Sequence, residues 1–70
     1  MSDAYMLRGA VFLELDDLHA AKADLDKAID LDANNADAYK ERAAALRELG
    51  QFTLAEQDGV KVCELDRSLC

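Results

Sequence analysis

Seventy residues suffice for one small domain, whose core supplies only about 3–5 kcal/mol by itself. A formal net charge of −7 repels nucleic-acid backbones and anionic membrane surfaces, and no basic patch offsets it. No apolar run approaches the ~20 residues of a membrane span. The composition is that of helices: alanine is abundant, Leu, Glu, Lys and Arg are good helix formers, and proline and tryptophan are absent. Met1-Ser2-Asp3 leads straight into a periodic segment with no visible signal peptide, so the expected compartment is the cytoplasm.

The first helix is expected over about 3–15. Tyr5, Gly9 and Phe12 recur at i, i+4, i+7 and form one apolar face. Gly9 costs about 1 kcal/mol of helix propensity against alanine, which close approach of a neighbouring helix would offset. Asp16-Asp17 breaks the pattern, and Asp17 can cap the next helix. That second helix is expected over about 18–31, with Leu18, Ala21, Leu25 and Ala28 facing inward. A turn this short makes the two helices antiparallel neighbours. Asp32 to Asn35 ends the helix, and Asn35 can cap a third over about 36–49.

From here the chain repeats itself at an offset of 34 residues. Asp3-Ala4-Tyr5 returns as Asp37-Ala38-Tyr39, Arg8 as Arg42, Glu14-Leu15 as Glu48-Leu49, Ala21 as Ala55, Asp24 as Asp58, and Leu31-Asp32 as Leu65-Asp66. Tyr39, Ala43 and Leu46 take the inward places of the third helix. Gly50 suits a left-handed residue after it. Phe52, Ala55, Gly59 and Val62 form the inward face of a fourth helix over about 52–66. A duplication of this period signals stacked helical hairpins.

In these slots the chain resembles two tetratricopeptide repeats, one over about 2–35 and the other over about 36–69. The slots read Tyr5, Arg8-Gly9, Phe12, Ala21, Leu25, Ala28 and Ala33, then Tyr39, Arg42-Ala43, Leu46, Ala55, Gly59, Val62 and Arg67. The resemblance implies a single all-α domain, a short right-handed α-solenoid. Two departures stand out. The proline that closes each repeat is replaced by Ala33 and Arg67, leaving open a continuous helix through Ala33 that exchanges between chains. Gly59 stands where a large apolar residue is usual, so the second repeat is expected to pack more loosely.

Few residues offer chemistry. Asp30, Asp32, Asn34 and Glu41 match the spacing of a calcium loop, but Asn35 and Asp37 occupy its glycine and apolar positions. An inter-repeat turn is the favoured reading, with a calcium-binding helix-loop-helix at 30–41 as the remote alternative. His19, the sole histidine, falls outside the inward stripe and has no nucleophile at a meaningful spacing. Cys63 and Cys70 would stand about 10 Å apart along a continuing helix, so two free thiols are expected. Arg8 with Asp24, and Arg42 with Asp58, recur in both copies as expected ion pairs, with Arg42–Asp24 across the boundary as one possible pairing. No enzyme, cofactor or metal is expected.

The resemblance implies a non-enzymatic protein–protein interaction module, a scaffold or adaptor that grips a peptide on the concave face of its first helices. On this chain that face is expected to comprise Met6, Leu7, Ala10, Leu13, Lys40, Glu41, Ala44 and Arg47. The expected partner is an apolar or basic protein or peptide. Lys40 occupies a lysine slot with which some relatives clamp a terminal carboxylate. Ala44 replaces the asparagine one turn on, and the third repeat is missing, so that clamp is not implied. Uncapped repeat ends also predict homo-oligomerisation, with Leu49, Leu54, Cys63, Leu65 and Leu69 at the open end. A purely structural oligomer with its apolar faces buried between chains is the alternative.

Overall fold

The computed structural model describes residues 1–70. Four helices follow in order: α1 (Ser2–Glu14), α2 (Leu18–Leu31), α3 (Ala36–Glu48) and α4 (Phe52–Leu65). A 3₁₀ turn, Arg67–Leu69, closes the chain. There are no strands, and the helix ends fall within a residue of the expected ones. α2 stops at Leu31 and α3 starts at Ala36, so the helix is not continuous through Ala33.

Each within-repeat turn ends its first helix in the same way. The Asp17 N–H donates to Phe12 O (2.8 Å) and the Asp16 N–H to Leu13 O (3.0 Å). Gln51 and Gly50 repeat this on Leu46 O and Arg47 O, at 2.8 and 3.0 Å. Both turns need a left-handed residue, supplied by Gly50 at φ 81° and by Asp16 at φ 62°. Asp17 then accepts from the Ala20 N–H and caps α2.

The inter-repeat turn dispenses with proline. Asp32 Oδ1 accepts from the Asn34 N–H at 2.9 Å, and Asp66 Oδ1 accepts from the Ser68 N–H at 3.0 Å. Both are side-chain turns that reverse the chain after a helix. Asn35 Oδ1 accepts from the Ala38 N–H (3.2 Å) and caps α3, while its Nδ2 donates to Ser2 Oγ (2.9 Å). Ser2 Oγ donates in turn to Ala28 O (2.8 Å). Four segments are thereby tied together at one corner.

α1 packs on α2, α2 on α3 and α3 on α4. α1 also meets α3, whereas α2 and α4 do not meet. The stack therefore curves toward the α1/α3 side, which is its concave side. The core is small: Ala21, Leu25, Ala28, Ala38, Ala45 and their neighbours, with Leu25 the largest side chain wholly out of water. Alanines dominate it, which lets the helices approach closely. Tyr5 and Phe12 are only half-buried, while their counterparts Tyr39 and Leu46 are buried. Phe52, expected to face inward, is 66% exposed, because no further hairpin lies against α4.

Gly9 and Gly59 play opposite parts. A Cβ on Gly9 would lie 2.8 Å from Leu25 Cγ, so α1 and α2 approach closely there. A Cβ on Gly59 would meet nothing within 4 Å. The second repeat is looser at that point, as its missing side chain predicts.

Candidate functional site

The two arginines are placed by the helix register and by the burial of the acids opposite them. Arg8 on α1 reaches Asp24 on α2 with Nε–Oδ2 at 2.6 Å and Nη2–Oδ1 at 2.8 Å. Arg42 on α3 reaches Asp58 on α4 in the same bidentate way, at 2.7 and 2.8 Å. Both pairs lie within a repeat. The boundary is crossed by Arg42 Nη1 to Asp26 Oδ1 at 3.1 Å, so Asp26, and not Asp24, is the cross-repeat acid. Each guanidinium also sits over the tyrosine one turn before it, Arg8 over Tyr5 at 5.6 Å and Arg42 over Tyr39 at 5.4 Å. The hydrogen bond from Arg8 holds the Asp24 carboxyl below its ordinary range. The bond to Asp58 raises Arg42 further above its already high value. These groups are saturated with one another and are structural.

The expected concave residues divide into two registers. Met6, Ala10 and Leu13 recur at i, i+4, i+7 on α1, all half-buried. Lys40, Ala44 and Arg47 occupy the same register on α3, with Lys40 and Arg47 exposed and Ala44 half-buried. Because α1 meets α3, these six belong to one surface. It is apolar over the first repeat and cationic at its edge over the second. Asp3, Glu14, Asp37 and Glu48 border it and are exposed. Leu7 and Glu41 lie about 100° further round their helices. Leu7 is 60% exposed and shares its stripe with Val11 and Leu15, not with Met6.

That stripe was not foreseen. Ala4, Leu7, Val11 and Leu15 form an apolar line along α1, with Leu15 69% exposed. The signal lay in the duplication: their counterparts Ala38 and Ala45 are apolar too, yet stand outside the inward stripe. The open end also differs from expectation. Leu49, Cys63, Leu65 and Leu69 are half-buried, and Val60, with Phe52, joins Leu54 among the exposed side chains. Grooves open at the two ends of the stack, not on the concave face. One is lined by Gly59, Val60, Cys63, Glu64, Arg67 and Cys70, the other by Met1, Ala4, Tyr5 and Arg8.

The expectation of two free thiols is overturned. Cys63 and Cys70 form a disulfide, with Cα atoms 5.0 Å apart. The helix ends at Leu65, and the Asp66 turn folds the tail back beside α4. The calcium spacing assembles no site. Asp32 and Asn35 are engaged with backbone and Ser2, and no three acidic, histidine or cysteine side chains converge. His19 is exposed. No helix is long and apolar enough to cross a membrane.

Comparison with known proteins agrees with this geometry. Two tetratricopeptide-repeat family models match, one over residues 2–35 and another over 25–57. Hsc70-interacting protein 1 and Hsc70-interacting protein 2 of Drosophila melanogaster are each 42% identical over 59 residues, 84% of this chain and 16% of theirs. The chain thus spans about a sixth of the length of these curated relatives. No solved structure matches it. Four helices in two superposable hairpins, the repeated Tyr–Arg–Asp ladder and the two family matches place this chain in the tetratricopeptide repeat family.

Proposed function

We propose that the chain is a non-enzymatic protein–protein interaction module that holds a protein segment along the concave α1/α3 face. The observation that carries this reading is the shared register of Met6, Ala10 and Leu13 with Lys40, Ala44 and Arg47 on two adjoining helices. An apolar floor with an acidic border suits a segment bearing apolar anchors and basic flanks. The names of the fly relatives make an Hsc70-class chaperone the first partner to test. A structural oligomer closing on this face has less support. Met6 and Leu13 are already half-buried within the chain, and the large side chains left in water lie at the ends of the stack.

The test compares the wild-type chain with Leu13→Glu/Arg47→Glu on immobilised supports, using lysate and purified Hsc70. The double variant is expected to lose the proteins that wild type retains, with affinity for Hsc70 at least about tenfold weaker. Retention of the same proteins by both would contradict the assignment.

A further inference from the structure

The two copies differ in what lies against them. α3 has a preceding hairpin at its side, and Ala38 and Ala45 are wholly buried there. Their counterparts on α1 are Ala4, which is exposed, and Val11, 52% exposed. α2 has a following hairpin, and Leu25 is wholly buried and Ile29 half-buried. Their counterparts on α4 are Gly59, with open space where its Cβ would be, and Cys63, beside the 59% exposed Val60. The outer faces of α1 and α4 thus duplicate the two halves of the internal α2/α3 seam, and neither has a partner.

Solvent-facing ends would be expected to turn polar. Here both turn apolar at seam positions. Glu41 of the seam becomes Leu7, Ala45 becomes Val11, and Asp26, which pairs with Arg42, becomes Val60. The sizes compensate as well: α1 gains bulk where Ala45 becomes Val11, and α4 loses it where Leu25 becomes Gly59. That loss leaves a groove beside Val60 and Cys63. Two ends that share one ancestral seam, and that shed its polar residues together, fit each other.

We propose that a second copy of this chain docks head to tail. Its α4 face, through Phe52, Val60 and Cys63, lies on the first copy's α1 face at Leu7, Val11 and Leu15. The contact repeats the packing of α2 against α3. It is heterologous, with each copy keeping one face free, so assembly extends beyond a dimer. It uses a different face from the proposed peptide site, and the two readings stand or fall separately.

Sedimentation of the 70-residue chain from about 1 μM to about 1 mM tests this. Wild type is expected to grow in mass with concentration past the dimer. Val11→Arg and Val60→Arg each block one face and should weaken association about tenfold or more. Mixed together they retain one good pair of faces and should form a 1:1 dimer that stops there. Val60→Asp restores the acid of the internal seam opposite Arg8 and should associate more tightly than Val60→Arg. Leu15→Arg and Phe52→Glu, at highly exposed positions, replace any variant whose circular dichroism departs from wild type. A wild-type chain that stays monomeric at the highest concentration would overturn the proposal. So would a mixture that fails to dimerise, or Val60→Asp weakening association as much as Val60→Arg.

Discussion

Gly9 and Gly59 occupy comparable helical positions, yet the space around them assigns opposite consequences to one methyl group. At Gly9 the new Cβ meets Leu25, which is wholly buried, and comes within 3.3 Å of Ala21 O. Overpacking of this kind costs about 1–3 kcal/mol, only partly offset by the helix propensity of alanine. Gly59→Ala meets open space and should gain about 1 kcal/mol from propensity. Urea unfolding is therefore expected to show Gly9→Ala less stable than wild type and Gly59→Ala more stable. A second residue-scale consequence concerns acid. The hydrogen bond from Arg8 depresses the Asp24 carboxyl in the folded chain. Its contribution is complete above the unfolded value near 3.8 and is lost as pH falls through the folded one. The stability difference between wild type and Asp24→Asn should be constant near neutrality and shrink below about pH 4. Thermal melts across that range measure it, and a difference that grows on acidification would exclude the pairing.

At the scale of elements, the turns carry the specificity. Asn35 caps α3 with its oxygen and holds Ser2 with its nitrogen, so it joins the inter-repeat turn to the start of α1. Asn35→Ala should cost about 1–2 kcal/mol. Asn35→Asp, which keeps the cap and loses the donor, should fall between that variant and wild type in the same unfolding measurement. Most of these elements were legible beforehand. Apolar residues at helical spacing marked the helices, and Asp17, Asn35 and Gly50 marked their ends, because caps and left-handed positions accept few residue types. Asp16 in the left-handed region was hidden, since its neighbour Asp17 also fits the turn. The C-terminal turn was hidden for a physical reason. Cys63 and Cys70 are remote from each other on a continuing helix and neighbours once the chain reverses at Asp66. The clue was the identity of Leu31-Asp32 with Leu65-Asp66, which placed the same turn at both ends.

Across the whole molecule, the repeat determines which surfaces are inner, outer and terminal. Contact of α1 with α3, without contact of α2 with α4, makes the first-helix side concave. The sequence-based choice of surface residues merged two stripes there, because apolar residues one step apart look alike without the neighbouring helix. The fold separates them: Met6, Ala10 and Leu13 adjoin the α3 register, while Leu7 turns with Val11 and Leu15 to the end of the stack. Arg42, bonded to both Asp58 and Asp26, couples the two repeats. The central claim, that the concave face holds a protein segment, is tested most directly by nuclear magnetic resonance. The isotope-labelled chain is titrated with purified Hsc70. The account predicts that shifts and broadening gather on Met6, Ala10, Leu13, Lys40, Ala44 and Arg47. Changes confined to Phe52, Val60 and the outer faces of α2 and α4 would contradict it.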